Sequence, residues 1–391
     1  MAKKANVLFI LFEGLADTVI DSQVLSHVGV MQKLGIANFE IWAFACDESN
    51  YQKSCAKRES AEMISGAKVR VFKGMRPASF GSLQKNAQTI DQALLETDVG
   101  FSHIHARTEY SAAVASKVKT IKDYTLIWDC RGDAIAELDY RYKDGSFKSK
   151  MMKALRTYVF EKRLKMAGRA CDKALFVSEP LKNVMARYIG EKSFEILPCC
   201  ASQELFFYDE GLRQKVRQDL GVSGGQVLYT YVGSLAPYQR FEDTISNFSK
   251  IAKLNEKAAL LVLTPDTDKA KVQLEQAIPG RYILKHASFN EINGYLNASD
   301  VAYMLRDATP TNRVATPTKF AEYCLTGLPV IMNSAVEACY QMAKEVGNII
   351  EEKHSEQSLN MATFNRKNIS SHHRPRLSRE GQVIFYSRLY S

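Results

Sequence analysis

The sequence predicts an α/β protein built from two doubly wound domains, each with a parallel sheet. Three observations carry this. Strand-length runs such as Ala5 to Leu11 and Ala259 to Leu263 are apolar without alternation, the mark of strands buried on both faces. Segments with helical spacing of apolar residues separate these runs, as parallel pairing requires. The alternation also stops near Pro198 and restarts at Val227, which places a link near Ser202 to Gly211. The expected division is an N-terminal domain over residues 1–204 and a C-terminal domain over residues 205–375. A helix in residues 376–391 is expected to pack back on the N-terminal domain.

Taken in order, Ala5 to Leu11 is the first strand, and Ser22 is placed to cap a helix reaching about Lys33 with Val24, Leu25, Val28 and Met31 as its stripe. Phe39 to Ala45 and Val69 to Phe72 are the next strands. Lys73 to Gly81 follows, a Gly/Pro/Ser-rich loop read either as a mobile acceptor loop or as a plain connection. Phe101 to Ser116 reads as a strand tip entering a helix of small residues, where Arg107 and Glu109 can pair. Thr125 to Trp128 is a strand ending in the charged turn Asp129-Cys-Arg-Gly-Asp133. Lys148 to Gly168 is a long basic helix, read as burying Met151, Met152, Leu155, Val159, Phe160 and Leu164, with membrane contact as the other reading. Ala174 to Val177 and Phe194 to Pro198 complete the first half. In the second half Val227 to Val232, Ala259 to Leu263, Tyr282 to His286, Val301 to Leu305 and Leu328 to Met332 are strands, with a helix over Phe241 to Leu254. The adjacent His372 and His373 lie in a polar stretch and read as solvated.

Composition narrows the class. With 46% hydrophobic and 24% charged residues the chain is an ordinary globular protein, and its longest apolar runs fall far short of the ~18 residues that span a bilayer. A cytoplasmic location is expected, with peripheral attachment to the inner face of the cell membrane as an extension. Eight scattered cysteines without Cys-x-x-Cys spacing argue for buried thiols rather than disulfides or a zinc site. Charge is uneven: residues 1 to 200 hold 30 Lys/Arg against 23 Asp/Glu, and the remainder 22 against 20. Much of the excess lies between Arg141 and Lys173, with 11 basic and three acidic residues, which suits an anionic membrane surface or acceptor. No nucleic-acid motif accompanies it.

The stretch Thr316 to Ile331 holds the densest chemistry. Pro317 suits a first helical turn, so the N–H groups of Thr318, Lys319 and Phe320 are expected to point out of a positive helix end, a place for phosphate. Glu322 is expected in that first turn, within reach of a polyol. Gly327 is expected to end the helix in the left-handed conformation before a buried strand.

Several segments resemble, in order, the family-4 nucleotide-sugar glycosyltransferases. They are Ser22-Gln-Val-Leu, His103-Ile-His-Ala-Arg107, Asp129-Cys-Arg-Gly132, Glu161 to Ala167, Val177-Ser-Glu-Pro-Leu181, Leu197-Pro-Cys-Cys200, Tyr231-Val-Gly-Ser-Leu235, Tyr295 to Asp300 and Pro317 to Pro329. The resemblance implies the GT-B fold, two Rossmann-like domains facing across a cleft, with a nucleotide-diphosphate sugar held mainly by the C-terminal one. It implies sugar transfer to a glycan, lipid-linked or other glycoconjugate acceptor, with retention as in most of the family, in surface polysaccharide assembly, and without a metal or other cofactor.

By position, the resemblance sets Gly233 and Ser234 beside the diphosphate, with Gln239 or Arg240 near the family's lysine. It sets Thr318 and Lys319 on the loop around the diphosphate and Glu322 on the ribose hydroxyls. Arg313 is a second candidate cation. Two departures stand out: the family's first glutamate is Val314 here, and its loop arginine is Ser234. On the acceptor side His105 is either a contact or a packed histidine, and Asp129 either orients or deprotonates the acceptor hydroxyl or pairs with Arg131. Asp266-Thr-Asp268 has metal-binding spacing but is read as structural. Two other classes remain open: a nucleotide-sugar epimerase of the same fold, and a non-catalytic subunit that binds a partner glycosyltransferase.

Overall fold

The computed structural model describes residues 4–121, 123–142, 145–357 and 361–391. The chain divides into two compact units, Met1–Pro198 with Gln382–Ser391, and Cys199–Gly381. The division falls earlier than the expected boundary after residue 204, because Ala201 bridges to Ser378 and so joins the second unit.

In the first unit seven strands form one sheet: β1 (Ala5–Leu11), β2 (Ala37–Ala45), β3 (Lys68–Lys73), β4 (His103–Arg107), β5 (Thr125–Cys130), β6 (Lys173–Phe176) and β7 (Ser193–Ile196). Their order is β3-β2-β1-β4-β5-β6-β7, and every pairing is parallel. β1 is buried from Val7 to Leu11, which is why it reads as an unbroken apolar run. The terminal helix Val383–Leu389 belongs to this unit. Tyr386 packs 4.8 Å from the His27 ring, and Lys173 donates to the Arg388 and Leu389 carbonyls.

The second unit repeats the plan with β8 (Val227–Val232), β9 (Ala258–Leu263), β10 (Tyr282–Lys285), β11 (Val301–Met304), β12 (Val330–Met332) and β13 (Ile349–Glu351), in the order β10-β9-β8-β11-β12-β13. In both sheets the chain starts in the middle, runs outward to one edge and returns to fill the other side. The strand order therefore reverses between β1 and β4 and between β8 and β11, and the carboxyl ends of such neighbours open a crevice where ligands bind.

Several local expectations change. Ser22 does not cap a helix; it sits in a π-helical turn, Asp21–Leu25, and donates to the Val19 carbonyl. The basic helix spans Phe147–Ala170 and buries Arg163, Leu164, Ala167 and Gly168, while Met151 and Leu155 are exposed. The stretch around His372 is a helix, Arg366–Leu377: His372 is exposed, but His373 is buried with Nε2 bonded to Asn348 Oδ1 at 3.0 Å. Burial pushes the His373 imidazole down to about 4.

Candidate functional site

At the reversal point of the second sheet, β8 ends in Gly233 and β11 leads into Arg306. Gly233 adopts φ +149°, and a Cβ there would lie 2.8 Å from both Lys319 Nζ and Gln239 Oε1, so only glycine fits this approach. Lys319 Nζ donates to the Val232 carbonyl and to Gln239 Oε1, each at 2.6 Å. Arg306, buried, donates Nη2 to the same Gln239 Oε1 at 3.1 Å and Nη1 to the Leu305 carbonyl at 2.7 Å. Two cations thus converge on one neutral amide oxygen. Burial, reinforced by Arg306, holds the Lys319 ammonium well below its usual range, and burial also lowers Arg306.

Glu322 faces this pair. It is the fifth residue of the helix Thr318–Leu325, past the first turn where it was expected, and it is buried. Burial pushes its carboxyl up to about 7 against the pull of Lys319 and Arg379. Pro317 stands just before this helix, and the Phe320 N–H, expected to be free, bonds the Pro317 carbonyl. Gly327 has φ +75° as expected, and any Cβ would meet the Arg366 carbonyl oxygen at 2.2 Å.

The remaining donor-side candidates separate. Ser234 stays with the cluster, accepting weakly from Gln239 Nε2 at 3.4 Å. Arg240 is engaged by Asp243, Glu352 and Asp307 at 2.8, 3.4 and 3.7 Å, so its charge is compensated. Arg313 is exposed on the short helix Pro310–Val314, and Val314 is buried. Thr318 opens the helix that carries Lys319. Asp266 accepts from the Leu235 N–H at 2.9 Å and so pins the glycine loop rather than a metal. Among the described residues no group of three His, Cys, Asp or Glu forms a metal site.

The first unit has its own crevice at the β1/β4 reversal point, a cavity of about 350 Å³ reached by Glu13, Arg107, Glu109, Arg131 and Glu137. Arg107 pairs not with Glu109 but with Glu13 at 3.0 Å and with Gln23 at 2.9 Å. Thr108 is forced to φ +71°, a strained position for a β-branched residue. Glu109, left without that arginine, is pushed by burial up to about 7, and Glu137 is raised for the same reason.

His105 and Asp129 lie behind this cavity in a closed network. His105 Nε2 is 3.3 Å from Asp129 Oδ2, its Nδ1 bonds the Tyr390 hydroxyl at 2.9 Å, and its ring stacks on Phe9. Burial alone would raise the Asp129 carboxyl, but Arg131 at 2.8 Å, His105 and Arg107 outweigh it and hold it well below the usual range. Such a group has neither the solvent access nor the basicity to deprotonate a hydroxyl. Glu109 lines the cavity, whereas Asp129 is held behind it by His105 and Arg131.

Gln239, the expected alternative to Arg240, stands in this cluster, where it is joined by Arg306, which the sequence did not single out. Arg306 follows its strand as Leu-Arg-Asp, a signal shared by any polar turn.

No protein-family model matches the chain, and no curated protein matches it in sequence. Solved structures do. Sucrose-phosphate synthase from Thermosynechococcus elongatus aligns over 99% of this chain and 98% of its own at 13% identity, TM-score 0.67. HepE from Anabaena, solved with UDP-glucose, aligns over 98% of both chains at 13% identity, TM-score 0.67. A glycosyltransferase from Rickettsia africae aligns over 99% and 98% at 11% identity, TM-score 0.69. At these identities the likeness shows the fold alone, that of the GT-B glycosyltransferases with two Rossmann-like units.

Proposed function

We propose that the protein is a glycosyltransferase that takes a sugar from a nucleotide-diphosphate sugar and attaches it to a hydroxyl of a glycan, lipid-linked or other glycoconjugate acceptor. One observation carries this reading: Arg306 and Lys319 share the Gln239 amide oxygen beside Gly233, at the reversal point of the second sheet. Two desolvated cations whose hydrogen-bond partners are all neutral oxygens form a site for a multiply charged anion, and glycine at 233 lets a diphosphate approach the backbone. Glu322, buried and facing Lys319, is the proposed acceptor for ribose hydroxyls. The fold shared with HepE, which binds UDP-glucose, makes a UDP-sugar the first donor to try.

In the transfer the bond from the anomeric carbon to the diphosphate oxygen breaks while a bond to the acceptor oxygen forms. Lys319 and Arg306 stabilise the negative charge that grows on the leaving diphosphate; one such preorganised donor is worth ~3 kcal/mol. The acceptor proton passes to a leaving phosphate oxygen if the configuration is retained, as the resemblance implies, and Glu109, which lines the cavity of the first unit, is the proposed contact to the acceptor hydroxyl. Assembly of a surface polysaccharide is the setting that the resemblance implies.

A thermal-shift screen against UDP, GDP, CMP and their sugars tests the donor site, since a ligand at 100 times its dissociation constant adds ~2.7 kcal/mol of stability. Nucleotide release that depends on acceptor supports transfer. Release without acceptor favours epimerase chemistry, and stability unmoved by every nucleotide favours a non-catalytic subunit.

A further inference from the structure

The helix Phe147–Ala170 has a face that the fold leaves uncovered. At 100° per residue, Phe147, Met151, Leu155 and Tyr158 fall on one stripe, and each is between 55 and 84% exposed. Four large apolar side chains aligned in water on one helix are far more than a scatter of surface hydrophobics. The stripe continues along the same face as Lys162, Lys165 and Arg169, all exposed. Lys148 and Lys150 flank its apolar end and are exposed as well.

The carboxyl half of the helix is packed tightly into the unit, and the amino half is held more lightly, with Lys153 paired to Asp139. A Cβ on Gly168 would lie 2.2 Å from the Tyr188 carbonyl oxygen, so the helix there presses directly on its neighbour Glu179–Ile189. In the amino half the one buried residue is Ser149. Beside the anchored half, Arg163 donates to the Pro77 carbonyl and so holds the loop that carries Arg76 and the fully exposed Phe80.

We propose that this helix docks the protein on an anionic lipid bilayer. Phe147, Met151, Leu155 and Tyr158 enter the boundary between headgroups and acyl chains, and Lys162, Lys165 and Arg169 bind lipid phosphates. Charge decides between this surface and a second copy of the chain. A two-fold axis that sets two such helices antiparallel lays the apolar half on the basic half, and one that sets them parallel lays basic on basic. An anionic bilayer satisfies both halves at once. The inference is independent of the donor-site reading.

The test is flotation of the full chain with vesicles of phosphatidylcholine alone and of phosphatidylcholine mixed with phosphatidylglycerol, at low and high salt. Binding is expected with the anionic vesicles, weakened by salt and by about fivefold for each cation removed in Lys162→Gln, Lys165→Gln and Arg169→Gln. Met151→Glu with Leu155→Glu is expected to abolish it, with an unchanged thermal midpoint as the control for folding. Wild-type protein that fails to float, or flotation that survives both sets of changes, overturns the proposal. So does a dimer in gel filtration that the Met151→Glu, Leu155→Glu variant dissolves while vesicle binding stays absent.

Discussion

Replacing Glu322 with Gln should stabilise the resting protein while weakening the donor site. Burial moves the Glu322 carboxyl from 4.5 to about 7 in the folded state. Between these values the unfolded chain is ionised and the folded one holds the proton, so stability falls as pH rises through the window. At 1.36 kcal/mol per unit the full loss is about 3 kcal/mol above pH 7, and Glu322→Gln should return it. His373 in the same unit has the opposite sign. Its folded value of about 4 lies below the usual 6.5, so the unfolded chain binds the extra proton and stability rises with pH over nearly the same range, again by about 3 kcal/mol. The two slopes nearly cancel in the wild type. Glu322→Gln should unmask a rise in stability from pH 4 to 6.5. The assay is urea unfolding at a series of pH values. Trp42 and Trp128 both lie in the first unit, so the second is followed by thiol labelling of its buried Cys324 and Cys339. A Glu322→Gln variant whose stability tracks the wild type within ~0.5 kcal/mol from pH 5 to 8 would refute the reasoning.

Three further outcomes are expected. Lys319→Met should weaken nucleotide-diphosphate binding by tenfold or more, since a hydrogen bond to a charged group is worth ~1.5–3 kcal/mol; adding Arg306→Gln should cost less than the sum of the single changes, because both cations act through Gln239, and calorimetric titration reads both. Gly327→Ala should lower the stability of the second unit by more than ~1 kcal/mol in urea unfolding, as φ +75° and the Arg366 carbonyl oxygen exclude a Cβ. Glu109→Gln should lower turnover at saturating donor and remove an inflection near pH 7 from the rate profile, while donor affinity measured by titration stays unchanged.

Much of the fold was legible because parallel strands buried on both faces leave unbroken apolar runs, as in Val7 to Leu11 and Ala258 to Leu263. Gly327 was legible for a local reason, since a left-handed residue between a helix and a strand is a property of one position. The site was less so. Arg306 and Gly233 are far apart in sequence and meet only because β11 pairs with β8, and no local pattern encodes that neighbour. The ion pairs of Arg240 with Asp307 and Glu352 were equally hidden, since those partners are distant in sequence. The basic helix misled for another reason: apolar residues occur on several of its faces, so periodicity alone does not say which face the core takes.

The cations of the resting cluster share an amide oxygen and face one buried acid, Glu322. Burial, reinforced by Arg306, lowers Lys319. A bound diphosphate supplies a further anion and favours the charged ammonium, so the Lys319 value should rise on binding. Donor binding should therefore take up a proton at pH values between those of the free and bound states, and affinity should fall as pH climbs through that window. Titration calorimetry in buffers of different ionisation enthalpy measures that uptake, and its loss in Lys319→Met assigns the proton to this side chain.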